Sequence, residues 1–140
     1  MTGVALIHVE IATDGACKGN PGPAGIGVAL WRDGEAEPFA TLAEKIPDTT
    51  NNVAEYKALL CGLKAALSHG AECVEVRTDS ELMARQIAGK YAVKSAEILP
   101  LFTEARSLLA RFESAKVVHV RREQNALADK LANQGVKMPL

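Results

Sequence analysis

Apolar and polar residues alternate from Val4 to Thr13, with Ala5, Ile7, Val9 and Ile11 on one wholly apolar face and Val4, Leu6, His8, Glu10 and Ala12 on a mixed one. A period of two predicts a strand. It runs into Asp14, which continues the mixed face at the strand's tip, and a Gly/Pro-rich loop then turns the chain. Gly25 to Trp31 and Phe39 to Ile46 read as two further strands, joined through Arg32-Asp33-Gly34-Glu35, whose Asp-Gly pair is a hairpin signal. The three strands form an antiparallel meander that Pro47 ends, and Asp48 to Asn52 is a polar loop.

The period then changes. From Asn52 to His69, Tyr56, Leu59, Leu60, Leu63 and Leu67 recur at helical spacing, with Gly70 just past the end. Cys73 to Thr78 reads as a short strand and Glu81 to Gln86 as a brief helix. A turn-like linker over Gly89 to Ser95 precedes a longer helix, Ser95 to Phe112, with Leu101, Ala105, Leu108, Leu109 and Phe112 inward and Pro100 in or near its first turn. Lys116 to Val120 makes a fifth strand, with His119 pointing away from the Val118 and Val120 face. After the polar loop Arg121-Arg122-Glu123-Gln124 comes a last helix, Asn125 to Asn133, whose face of Leu127, Ala128, Leu131 and Ala132 opposes a stripe of Asn125, Asp129 and Asn133.

A helix between the third and fourth strands makes the fourth a crossover product, parallel to the first. Asp14 and Asp79 then stand at neighbouring carboxyl ends, within reach of one ion, where open α/β sheets place their ligands.

Composition narrows the partners. The 140 residues carry 16 Lys and Arg against 17 Asp and Glu, a net charge of −1, so any hold on nucleic acid must come from a local patch. Cys17, Cys61 and Cys73 show no Cys-x-x-Cys spacing, which fits reduced thiols in a cytosolic setting. No apolar run approaches the roughly 20 residues of a membrane span, and residues 1–11 lack a basic leader. The expectation is one domain over residues 1–140, cytoplasmic, monomeric and without a membrane partner.

Taken singly, the motifs have ordinary explanations. Asp14-Gly15 and Gly19-Asn20-Pro21-Gly22-Pro23 are turn chemistry. Gly22-x-x-Gly25-x-Gly27 is followed by a strand, not by the helix a dinucleotide fingerprint needs. Asn52-x-x-Glu55 is close to a capping box, although Glu55 projects toward the sheet side, where a desolvated carboxylate invites a metal. Asp79 or Ser80 serves as a helix cap, Asp129 as solvated surface, and His8 as a partly exposed sheet residue.

Together they carry a resemblance. Asp14-Gly15-Ala16-Cys17-Lys18-Gly19-Asn20-Pro21-Gly22-Pro23-Ala24-Gly25-Ile26-Gly27, Thr50-Asn51-Asn52-Val53-Ala54-Glu55, Thr78-Asp79-Ser80 and Asn125-Ala126-Leu127-Ala128-Asp129-Lys130-Leu131-Ala132 resemble, in order, the four signatures of type 1 ribonuclease H in its compact bacterial and archaeal form. The resemblance implies an α/β ribonuclease H-like fold: a five-stranded mixed sheet, its first three strands antiparallel, flanked by helices. It implies metal-dependent endonucleolytic hydrolysis of the RNA strand of RNA–DNA hybrids, leaving 5′-phosphate and 3′-hydroxyl ends. The catalytic and metal-binding acids carry over to Asp14, Glu55, Asp79 and Asp129, with two Mg²⁺ ions as cofactor and Mn²⁺ as the alternative. Phosphodiester hydrolysis builds negative charge at nucleophile and leaving group, which paired divalent ions stabilise. The resemblance also puts Asn20, Asn51 and the backbone around Gly15 and Cys17 in the minor groove, where the 2′-hydroxyl distinguishes RNA, and Thr50 on a DNA-strand phosphate.

Two departures stand out. The loop before the last helix lacks the His that many members carry, leaving Arg122 or Glu123 as the candidate substitute. The basic, Trp-containing protrusion is reduced to Lys90, Tyr91 and Lys94, which predicts modest, strongly salt-dependent hybrid affinity. Two other readings stay open: a module that grips hybrid without cutting, and a nuclease for another substrate such as double-stranded RNA or transposase-type DNA.

Overall fold

The computed structural model of the protein describes residues 6–139. The strands are β1 (His8–Cys17), β2 (Gly22–Arg32), β3 (Ala40–Thr49), β4 (Cys73–Thr78) and β5 (Ser114–His119). The helices are α1 (Asn51–Ser68), α2 (Glu81–Ile87), α3 (Ile98–Leu109) and α4 (Ala126–Lys137), the last preceded by a 3-10 turn over Arg122–Asn125. Sheet order is β3-β2-β1-β4-β5. β1 pairs antiparallel with β2 and β2 with β3, while β4 runs parallel to β1 and β5 to β4. This is the five-stranded mixed sheet expected.

Helix α1 covers one face of β1 and β2, with α3 packed against it, and α4 crosses β2, β1 and β3 on the other face. The α1 side holds the main core, including Ile11, Val28, Leu30, Leu59, Leu63 and Val76. Tyr56 is buried there as well, its hydroxyl donating to Gln86 Oε1 at 2.8 Å. That bond satisfies a phenol otherwise costly to bury, and burial pushes its pKa up to about 12.

Several boundaries differ from the sequence reading. The predicted first strand begins on residues 4 and 5, which lie outside the described residues, and β1 starts at His8, leaving Ile7 40% exposed. Its other end runs past Asp14 to Cys17, held by pairing with Ala24 to Gly27 of β2. The predicted mixed face is buried from Ala12 onward because α4 lies on it.

Pro47 does not stop the third strand, which continues to Thr49. An edge strand tolerates a residue without an amide donor, and the β2–β3 register shifts beside it. Helix α3 begins at Ile98, three residues later than expected, with Pro100 in its first turn. Helix α4 runs four residues past Asn133 through Gly135. There a Cβ would lie 2.4 Å from the Glu44 carbonyl oxygen, so the glycine lets the helix end rest on β3.

Candidate active site

Asp14 takes its position from two registers. Ala12 is level with Arg77 in the parallel β1–β4 ladder, so two residues on, Asp14 stands level with Asp79, the first residue beyond β4. The expected juxtaposition of parallel ends therefore holds. The strand tip does not: Asp14 lies inside β1, opposite Gly27 of β2, and is 4% exposed. A Cβ on Gly27 would stand 2.3 Å from the Ala128 carbonyl oxygen. The missing side chain thus lets α4 lie against the sheet, bringing the first turn that carries Asp129 toward Asp14.

Glu55 arrives from the opposite face of the sheet. Gly15 donates its backbone N–H to Glu55 Oε1 at 2.9 Å, and a Cβ on Gly15 would lie 2.3 Å from the Ala54 carbonyl carbon. Only a glycine permits this approach of β1 and α1. Glu55 is not in a capping box, because the α1 cap is Thr50, whose hydroxyl accepts from the Val53 N–H at 3.3 Å. In the same way Ser80 caps α2, accepting from the Met83 N–H at 3.2 Å. Asp79 is left to the site.

Carboxylate oxygens of Asp14, Glu55 and Asp79 lie within 4.8 Å of one another. Asp129, in the first turn of α4, stands outside this trio, though its charge adds to the repulsion on the Asp14 carboxyl; its side chain is 30% exposed and its Oδ1 is 3.6 Å from an Arg122 guanidinium nitrogen. Among the described residues no Lys, Arg or His forms an ion pair with the first three acids.

Electrostatics follow from this crowding. Burial, then the charges of Glu55 and Asp79, push the Asp14 carboxyl far above the ordinary carboxylate range. Burial also raises Glu55, against the lowering effect of the Gly15 N–H. Converging carboxylates without a compensating side-chain cation form an all-oxygen donor set, the kind that hard divalent cations such as Mg²⁺ prefer. The residues present fit such ions.

The predicted substrate contacts fall into two groups. Gly15, Cys17, Asn20, Thr50 and Asn51 gather where the β1–β2 loop meets the start of α1. Cys17 Sγ donates to Asn51 Oδ1 at 2.9 Å, and the Asn51 N–H donates to Asn20 Oδ1 at 3.0 Å. Arg122 stands apart on the 3-10 turn, its side chain 77% exposed beside Asp129.

The helical period puts Asn125 on the stripe opposite the apolar face of the last helix, yet it is 2% exposed. Its amide nitrogen donates to the Thr13 carbonyl at 2.9 Å, one residue before Asp14, while its Oδ1 has no partner. It ties the turn before α4 to β1. Its sequence signal is its place as the first residue of the last motif, although periodicity assigns it to the wrong face.

A mixed sheet of this order, with acids collected where β1 and β4 end their parallel pairing, defines a ribonuclease H-like nuclease fold. Comparison with known proteins agrees. The model of the reverse transcriptase-like family matches residues 12–135. Ribonuclease H of Nitrobacter hamburgensis is 37% identical over an alignment covering 99% of this chain and 97% of its own. A solved structure of LC11-RNase H1 in complex with RNA/DNA hybrid superposes with a TM-score of 0.86 at 40% identity, covering 91% of this chain and 96% of that one. The N-terminal RNase H domain of a Mycobacterium tuberculosis protein superposes with a TM-score of 0.90 at 38% identity, covering 93% and 94%. The chain belongs to the type 1 ribonuclease H family of enzymes. It spans 36% of the length of the mycobacterial bifunctional protein that it matches at 38% identity.

Proposed function

We propose that this chain is a ribonuclease H domain that hydrolyses the RNA strand of RNA–DNA hybrids, leaving 5′-phosphate and 3′-hydroxyl ends. The observation that carries the reading is the convergence of Asp14, Glu55 and Asp79, from three elements, with oxygens within 4.8 Å of one another. A bare cluster of this kind is electrostatically costly, and divalent cations with a phosphodiester offset that cost.

Asp14, Glu55 and Asp79 would hold one Mg²⁺ or Mn²⁺, and Asp14 with Asp129 a second. Bound there, the ions supply charge stabilisation to the attacking water, the phosphoryl oxygens and the leaving group. The chain's own residues do the rest. Gly15 fixes the Glu55 carboxylate through its N–H. Asn20, Asn51 and Cys17, already bonded to one another, present the surface that reads a ribose 2′-hydroxyl, and Thr50 takes a DNA-strand phosphate. Arg122, beside Asp129, acts on product or strand binding where other members use a His.

None of the described helices is long and apolar enough to cross a membrane, and Cys17, Cys61 and Cys73 are free thiols. A cytoplasmic monomer is the corresponding proposal. The test is cleavage of a hybrid labelled on each strand in turn, with Mg²⁺, with Mn²⁺ and with chelator. RNA-strand cutting that needs the metal is expected; binding without cutting, or cutting of the DNA strand, overturns the reading.

A further inference from the structure

With basic and acidic side chains nearly balanced, a hold on a polyanion has to be local. Such a place lies further along β1 and α4 from the acids. A cleft of about 490 Å³ opens between the loop after β1, the edge strand β3 and the last turns of α4. Lys18, Lys45 and Lys137 line it together with Cys17 and Asn133, and no carboxylate does.

Two tracks run into this cleft from the acids. Along β1, Cys17 and Lys18 follow Asp14 by three and four residues, about 10 Å at strand rise. Along α4, Asp129, Asn133 and Lys137 recur every four residues, which places them on one helix face over about 12 Å. The Asn133 side-chain amide donates to the Asp129 carbonyl at 2.9 Å, so the middle of that track is fixed. Lys45 is fixed too, donating to the Val136 carbonyl at 2.9 Å, and its ammonium keeps donors to spare. Lys18 and Lys137 are exposed and make no ion pair among the described residues.

We propose that this cleft is a phosphate subsite for the strand being cut, holding its backbone a few nucleotides from the scissile bond. The subsite sets how far that strand must extend on one side of the cut. The proposal rests on the hybrid reading above for the strand's identity. The cleft itself rests on charge and continuity with the acids.

Hybrid binding, followed by fluorescence anisotropy with Mg²⁺ on an Asp14→Asn background, reads the subsite without cleavage. Lys18→Glu combined with Lys137→Glu should weaken binding on the order of tenfold beyond the effect of Arg111→Glu, an exposed charge reversal near the far end of the sheet. The log–log salt dependence should become shallower by about one unit per lysine. Equal affinity and slope in the paired variant and the Arg111 control overturn the subsite. Shortening the RNA strand from one end should erase the lysine effect; if only shortening the DNA strand does so, the assignment to the cut strand is wrong. Failure of the wild type to cut any hybrid removes the proposed function, while the binding comparison still decides the cleft.

Discussion

The two walls of the carboxylate cluster are built differently. On the α1 side, Glu55 is bonded to Gly15, Asn51 to Asn20 and Cys17 to Asn51, and the adjoining Asp14 is almost fully buried. On the α4 side, Asp129 is 30% exposed, and its one basic neighbour, Arg122, is 3.6 Å away on a side chain 77% exposed. The first wall is a preorganised set of acids whose mutual repulsion the fold withstands. The second is solvated and adjustable. Precision at a reacting phosphate requires side chains held by their surroundings, whereas turnover requires something that can let go.

On this division, Asp14→Asn should have the largest effect. It removes the ligand shared by both proposed ion sites, and hybrid cutting should fall on the order of 10³-fold or more, the scale of losing a principal electrostatic stabiliser. The same substitution removes a buried acid that folding must either protonate or hold charged beside its neighbours, so the metal-free protein should melt at a higher temperature than wild type and gain less from added Mg²⁺. Lost cutting with a lowered melting temperature would mean that Asp14 holds the fold together and not the ions.

Gly15→Ala comes next. A methyl group there would meet the Ala54 and Glu55 backbone at 2.3–2.4 Å, and backbone cannot rotate aside as a side chain can. Overpacking of this kind costs about 1–3 kcal/mol. Thermal unfolding should show the loss, and cleavage should fall further than stability predicts because Glu55 is displaced from its hydrogen bond. Full activity at a reduced melting temperature would separate the α1 wall from catalysis.

A pH series on metal-free protein tests the same repulsion without mutation. Asp14 and Glu55 are raised in the folded state, so between the ordinary carboxylate range, roughly pH 4, and their raised values the folded protein binds more protons than the unfolded chain. Stability must therefore fall as pH rises through that window. Melting temperature should drop from pH 5 toward pH 9 in chelator, and Mg²⁺ or Mn²⁺ should restore more at the upper end. A flat profile would show that the acids are better solvated than their burial implies.

The difference between the walls also explains what was legible in the sequence. The α1 wall follows from patterns with local causes: alternation placed Asp14 on β1, crossover logic placed Asp79 beside it, and the 3.6-residue period placed Glu55 toward the sheet. Its finer structure was not legible, because whether Thr50 or Asn52 caps α1 depends on where the helix starts. Pro47 misled for a related reason, since only the assembled sheet reveals β3 as an edge. The α4 wall was nearly silent. Periodicity puts both Asp129 and Asn125 on the polar stripe of an amphipathic helix, and nothing in it shows that Gly25 and Gly27 admit that helix so closely to the sheet. Only the resemblance of the whole motif set drew attention to Asp129.

The smallest expected effects lie on the solvated wall. Asp129→Asn keeps an oxygen beside Asp14 and should slow cleavage by about one to two orders of magnitude, less than Asp14→Asn, because partial exposure lets water take up part of its role. Arg122→Ala should change less still, since an ion pair this exposed contributes at most about 1 kcal/mol. Its effect should appear as a severalfold change in steady-state turnover with little change in a single-turnover burst, the signature of a step after chemistry. Equal slowing of both phases would place the guanidinium on the reacting phosphate and make the α4 wall as fixed, in function, as the α1 wall. An unchanged steady-state rate would remove Arg122 from turnover and leave Asp129 to act without it.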